Sequence, residues 1–593
     1  MKTRLRLFFS LLSVFFFHLS QAQVTLVSSN TNLSSGLVLS NGIPLLISDS
    51  GQLYTTNGTT ATLLTGNVST VSDSGSAVIY KNQFYFTGKD ASGDVELWAT
   101  DGTAGNTRLI KNISATGSSD PDKFFVFNNL LYFTADDGVH GRELWASDGS
   151  ANNATLVADI DGASTSSIGD NVSFFQNGST IFFLATSNNV KGLYRLPSAG
   201  VSLIKNDFTG SINLDGLFTT AAIGNKTVFT VDTSKLIINT GGGNVSVTDS
   251  TAVQIWATDG TPGGTQLLHT FISNSQVSGF ITPVLFKGLL YFNYADTTTS
   301  AIWTTDGTPG NTVLFKTFDV DKSDSSLFGL LFSVIINNKL YFNGYAKQTG
   351  GELWSTDGTA ANTVLVKDIN PGPGSSEPIP LVNTAAFTKY YTNGNSTSFT
   401  YQQFFTPFNG KIYFTATDGT HGNELWSTDG TTANTSLVKD INPGNGNGVN
   451  DGVSAFYTTS GIYFTGNDGT TGNEPWVTDG TSAGTKLVYN INPDGNMVTN
   501  DSHPSYLFVY NNQLYLNADN GTGSGATSLY KLNQAVALPV SLLSFTASKQ
   551  TASVLLDWTT TNEINTHHFN VERSIDGIHF SAIGTMAALG SST

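Results

Sequence analysis

Short apolar runs broken by polar turn residues recur along the chain, and one stretch shows the whole pattern. Phe124–Phe127 is apolar, Asn128-Asn129 is a turn pair, and Leu130–Ala135 is a second run without polar alternation. Asp136–Arg142 is a Gly-bearing loop, Glu143–Ser147 a third run, Asp148-Gly149 a turn, and Thr155–Ile160 a fourth run. Asn and Gly tolerate the positive φ that two-residue hairpin loops need, so these runs read as antiparallel strands joined by tight turns. Runs such as Leu131-Tyr132-Phe133 that lack alternation belong to sheets covered on both faces. The pattern predicts four antiparallel strands in about fifty residues.

The unit repeats. Seven of the eight Trp residues lie in one motif, first seen as Glu96-Leu97-Trp98-Ala99-Thr100-Asp101-Gly102-Thr103. It returns around Trp145, Trp256, Trp303, Trp354, Trp426 and Trp476, with successive Trp spacings of 47, 111, 47, 51, 72 and 50. Worn copies at Gly192–Leu196, Gln52–Thr59 and Ser528–Leu532 raise the number of units to ten. Repeated four-stranded sheets buried on both faces predict the blades of a β-propeller spanning residues 23–533. The last unit lacks a fourth strand, and Val24-Thr25-Leu26-Val27 supplies one at the other end of the chain. Pairing the two would close a ring of ten blades and remove the exposed edges; a ring of about eight blades is the alternative.

These residues carry a family resemblance. The array resembles the bacterial secreted-protein repeat known by its Glu-Leu-Trp-x-x-Asp-Gly-Thr signature (ELWxxDGT), with full copies around Trp98, Trp145, Trp354 and Trp426. Trp256, Trp303 and Trp476 depart from it at Gln254, Ala301 and Pro475. The resemblance implies no defined activity. From Leu538 onward the texture changes, and residues 534–593 read as a linker and part of a β-sandwich. Val554–Trp558, Asn562–Asn565 and Phe569–Gly577 resemble the fibronectin type III-like module that precedes sorting signals in the Bacteroidetes type IX secretion route. Such a module needs roughly 90–100 residues, so a truncated one is expected. At the other end, Lys2, Arg4 and Arg6 precede an apolar stretch from Leu7 to Leu19, and Ser20-Gln21-Ala22 offers small residues for cleavage before Gln23. Residues 1–22 therefore read as a signal peptide, and the mature chain, without a transmembrane segment, is expected to be secreted or held at the cell surface.

Composition narrows the chemistry. The 593 residues contain no Cys, which removes disulfides, thiol nucleophiles and thiolate metal sites. Net charge is −17, or −20 once the three basic residues of the signal are gone, so nucleic acid is a poor partner. No His-Glu-x-x-His, Gly-x-Ser-x-Gly or phosphate-cradling Gly-Lys-Ser/Thr motif marks an enzyme. Trp and Glu of each motif share strand parity, so both are expected to face one neighbouring blade. The seven motif Trp are expected to be structural anchors with their indole N–H groups paired, and each Asp-Gly a turn former. Candidate ligand-binding residues sit in the loops between strands two and three: Asp136, Asp137 and His140, Asp418 and His421, and Asp468. Their oxygens suit Ca²⁺, the one cofactor the sequence suggests.

Two insertions, Lys235–Ser250 in a strand-two-to-three loop and Pro371–Tyr401 in a crossover, are expected on that same side of the ring. Insertions gathered on one face commonly mark a binding face. The leading expectation is accordingly a non-catalytic binding or adhesion scaffold for a glycan or surface protein. The alternatives are a secreted polysaccharide hydrolase or lyase with paired carboxylates, and a purely structural surface protein.

Overall fold

The computed structural model describes residues 24–592 apart from short breaks, the longest being 319–328 and 384–406. Residues 1–22, the expected export signal, lie outside the described residues. Among the described residues no helix is long and apolar enough to cross a membrane.

Blade three shows how sequence becomes sheet. Asp122–Phe127, Leu130–Asp136, Arg142–Ser147 and Ala154–Ala158 pair in chain order as an antiparallel meander. The first turn places Asn128 and Asn129 at φ 48° and 58°, the left-handed region that Asn tolerates better than most residues. Leu131, Phe133 and Ala135 face blade two, whereas Phe125, Tyr132 and Leu144 face blade four. Both faces are therefore buried, as the non-alternating runs predict.

Ten such sheets follow one another, and ten apolar clusters join them. Each cluster takes residues from two successive blades, and the tenth joins the last blade to the first. The architecture is a closed ten-bladed β-propeller. Val24–Ser28 is the fourth strand of blade ten: Val24, Thr25 and Leu26 lie opposite Leu532, Lys531 and Tyr530. Val27, buried with Phe508, Tyr515 and Leu529, meets Leu33 and Leu46 of blade one in the closing cluster. The expected closure and blade number are both observed.

The motif Trp is a wedge directed at the preceding blade. Trp145 packs with Val78, Tyr80 and Leu97 of blade two, and Trp476 with Tyr413, Leu425 and Val438 of blade eight. Trp145, Trp426 and Trp476 are 5–6% exposed, whereas Trp98, Trp256, Trp303 and Trp354 are half-buried. The indole N–H groups do not behave as expected. Nε1 of Trp98, Trp145, Trp354 and Trp476 is buried without a hydrogen-bond partner, while Trp256 Nε1 donates to Gln254. A cation covers the ring face instead: Lys111, Lys367 and Lys439 of the preceding blades stand 5.6–5.8 Å from the centroids of Trp145, Trp426 and Trp476. Each ammonium also donates to a carbonyl of the next blade, at Ala154, Thr435 and Thr485. Trp426→Ala and Trp476→Ala should each cost about 3–5 kcal/mol in urea unfolding. The half-buried Trp98 should cost clearly less; equal losses at all three would contradict the burial pattern.

One of the two insertions departs from its expected place in the blade. Strands Lys226–Asn239 and Ser246–Thr258 of blade five continue as one hairpin, with Lys235 opposite Ser250, so this insertion extends from the crossover end as expected. The other was assigned to a crossover, and that is corrected. Ile379–Pro380 is the first strand of blade eight, opposite Thr415 and Phe414, and Val382–Asn383 pairs in parallel with Ser454 and Ala455 of blade nine. The extra chain thus interrupts strand one, between Leu381, bonded to Tyr413, and Phe408, bonded to Lys411; residues 384–406 themselves lie outside the described residues. A first strand this short inside a Gly/Pro-rich segment gives no hydrophobic pattern to find.

Beyond the ring, Leu542–Lys549 pairs with Val554–Thr560, and Glu563–Ser574 with Phe580–Ser592. They form two separate two-stranded sheets, and the expected sandwich module is not established by them.

Candidate functional site

At one end of the ring the motif's Asp-Gly-Thr forms a self-contained turn. Asp101 accepts the Thr103 backbone N–H at 3.0 Å and the Asn106 amide at 2.8 Å, and Asp357 and Asp429 repeat the arrangement. These turns also stitch blades together, since Tyr85 donates to the Gly149 carbonyl and Lys287 to that of Asp357. Every polar group named here is engaged in structure.

The crossover end holds the buried acids. Glu96, Glu143, Glu352, Glu424 and Glu474 are at most 1% exposed. Each is held by the crossover that leaves its own blade, not by a neighbouring blade as strand parity suggested. Glu352 accepts the N–H groups of Ile369 and Asn370 and the hydroxyl of Ser376, at 2.9, 3.2 and 2.6 Å. Glu96 and Glu474 repeat this with Ser119 and Ser502. Burial pushes the carboxyls of Glu143, Glu352, Glu424 and Glu474 up to about 7, outweighing the hydrogen bonds that act the other way.

Above these acids lie the candidate loops. Asp136, Asp137 and His140 belong to blade three, Asp418 and His421 to blade eight, and Asp468 to blade nine, so they form three local arrangements and not one centre. Asp468 accepts the N–H groups of Thr470 and Thr471, a turn with no free carboxylate role in view. Asp136 does the same for Gly138. In the other two loops a His reaches back to its Asp: His140 Nδ1 lies 2.8 Å from Asp137 Oδ2, and His421 Nδ1 2.9 Å from Asp418 Oδ2. Both imidazoles titrate above the usual His range, first because of that Asp and then because of the crossover Asp and the buried Glu nearby. Burial alone would raise Asp418, but the N–H groups of His421 and Thr420 outweigh it and hold the carboxyl well below the usual range.

The two copies diverge at the crossover. In blade eight, His421 Nε2 faces Asp440 Oδ2 across 3.8 Å, and Asp440 Oδ1 is buried without a hydrogen-bond partner. In blade three the equivalent Asp159 instead groups with Glu143 and Asp161, the three carboxylates offering oxygens within 4.8 Å of one another. Sequence reasoning missed Asp159, Asp161 and Asp440 because they lie in crossovers, about twenty residues from the loops they meet.

No family model matches the chain, and no curated protein does. Among solved structures it is similar to a computationally designed protein, Ika8, at 12% identity and a TM-score of 0.28, over 69% of this chain and 94% of that one. It is also similar to a puromycin hydrolase at 11% identity and a TM-score of 0.25, over 70% of this chain and 61% of the other. A third is a puromycin-hydrolyzing peptidase of Mycobacterium tuberculosis, at 10% identity and a TM-score of 0.27, over 68% and 58%. The chain thus spans about three fifths of those two hydrolases. The expectation of a non-catalytic binding scaffold is corrected. The solved structures similar to the chain include puromycin hydrolases and peptidases.

Proposed function

We propose that the chain is an exported hydrolase whose chemistry is carried by Asp418, His421 and Asp440 on the crossover end of blade eight. The observation that supports this reading is the clamped imidazole. Asp418 accepts the Nδ1 proton, which leaves Nε2 as the basic nitrogen, directed at Asp440. A separation of 3.8 Å is too long for a direct hydrogen bond and suits a water held by both groups. His421 would take the proton of that water as it attacks, Asp418 would stabilise the imidazolium, and Asp440 would orient the nucleophile. An acidic chain repels anionic polymers, so a neutral polysaccharide or its esters is the substrate class proposed. The ELWxxDGT membership, the signal peptide and the type IX route belong to this reading as proposals resting on sequence resemblance.

The test is turnover of a panel of nitrophenyl glycosides and acetyl esters by the full chain. His421→Ala should lower the rate by roughly 10²–10⁴-fold, the usual range for a general base. The neutral imidazole is the active form, so the rate should rise with pH through a pKa above 6.5, and Asp418→Asn should move that limb lower. Turnover that survives His421→Ala, or its absence across the panel, would rule the reading out.

A further inference from the structure

The crossover of blade three carries more charge than its equivalents. The paired positions read Asp368 and Asn370 after blade seven, Asp440 and Asn442 after blade eight, Asn490 and Asn492 after blade nine, and Asn112 and Ser114 after blade two. After blade three they read Asp159 and Asp161. The acid beneath is also held differently. Glu143 accepts the Ile160 N–H at 3.4 Å and the Ser167 N–H at 3.0 Å, whereas Glu352 has three partners, each at 3.2 Å or closer. Ser167 supplies a second, independent observation. Its counterparts Ser119, Ser376 and Ser502 donate their hydroxyls to the buried Glu at 2.5–2.7 Å. Ser167 is 1% exposed, and its hydroxyl, though near enough to the Glu143 carboxylate to act on it, makes no hydrogen bond of regular geometry.

We propose that Glu143, Asp159 and Asp161 bind a Ca²⁺ ion that ties the third strand of blade three to the crossover leaving it, with the Ser167 hydroxyl as a further oxygen. The donors are all oxygen, which suits a hard cation. Oxygens lying within 4.8 Å of one another fit inside the coordination shell of Ca²⁺, whose oxygen ligands stand roughly 2.3–2.6 Å from the ion and take flexible geometry. Part of each carboxylate is already committed: Asp159 accepts from Gly162 N–H, and Asp161 from Ala163 N–H and the Thr165 hydroxyl. These contacts hold the loop closed around the cluster, and the ion would take Asp159 Oδ2 and the second lone pairs of the Asp161 and Glu143 oxygens, each of which accepts one hydrogen bond. The site differs from the calcium sites expected in the strand-two-to-three loops, and it is independent of the hydrolase reading.

The full chain, freed of metal by a chelator, should bind one Ca²⁺ by calorimetry, and its melting temperature should rise with added Ca²⁺. Asp161→Asn restores the residue of blades seven and eight. It should weaken binding at least tenfold while leaving the metal-free melting temperature unchanged or higher, and Asp368→Asn in blade seven should leave binding unaltered. Absence of binding heat, or binding undiminished in both Asp161→Asn and Glu143→Gln, would overturn the proposal.

Discussion

A chain lacking Val24–Ser28 should lose the cooperative unfolding of the ring and associate into larger species. This strand completes the last blade with the first described residues of the array. Its ladder to Thr527–Ala535 is reinforced by Thr25, which donates to Asn533 at 2.9 Å. Around it, the Asn517 amide donates to the Leu33 carbonyl at 2.6 Å and Lys531 to that of Gly58 at 2.8 Å, so blade ten is also pinned to blade one. Deletion removes the burial of Val27 and the ladder hydrogen bonds, a loss on the order of 3–5 kcal/mol before any opening of the closing cluster. It also exposes the edge at Thr527–Ala535, a template for pairing with another chain. Val27→Asp tests the same contact with the strand in place, because it sets an unpaired charge against Leu33, Leu46 and Phe508. Urea titration with size-exclusion chromatography reads both variants. A deleted chain that stays monomeric with the parent midpoint would show that the ring does not depend on this closure.

The fold was legible because its signals are local. Asn-Asn and Asp-Gly announce turns whose conformation they themselves favour, as the positive φ of Asn128, Asn337 and Asn511 shows. Trp returning in one motif, four of its six spacings between 47 and 51, marks a unit that must bury aromatic surface against its neighbour, and the ten apolar clusters bear that out. What stayed hidden depends on partners remote in the chain. Glu352 meets N–H groups 17 and 18 residues on, and Lys367 a carbonyl 68 residues away, with no residue pattern to announce either. The first strand of blade eight escaped for the opposite reason. Its paired residues Ile379–Pro380 are too few to form a period, so the insertion was assigned to the crossover when it interrupts strand one. Asp161 is legible only by setting the crossovers side by side, where it is the acid that replaces a neutral residue.

Stability should peak in mildly acid solution and fall as the pH rises toward 8. The buried motif acids set this direction. Glu143, Glu352, Glu424 and Glu474 titrate near 7 in the fold against 4.5 as the ordinary value, so between those limits the folded chain binds more protons than the unfolded one. Stability then declines with rising pH across that window, by on the order of 1–3 kcal/mol for each such Glu. His140 and His421, raised by their Asp partners, act in the same direction, since their contribution is complete below 6.5 and lost above their folded pKa values. The turn aspartates act oppositely. Asp101, Asp357, Asp429 and Asp479 lie below the ordinary 3.8, so their contribution is lost only as the pH falls through that region. The optimum should therefore lie near pH 4–5, between the two sets of groups. Glu352→Gln separates the buried acids from the rest. It retains an acceptor oxygen for the Ile369 N–H at the loss of the bond from Asn370, and cannot ionise, so urea midpoints measured from pH 4.5 to 8 should start lower but fall less steeply than in the parent. A parent protein more stable at pH 8 than at pH 5, or a Glu352→Gln variant with an unchanged slope, would mean that these carboxyls enter the fold already charged and fully compensated by the crossover N–H groups.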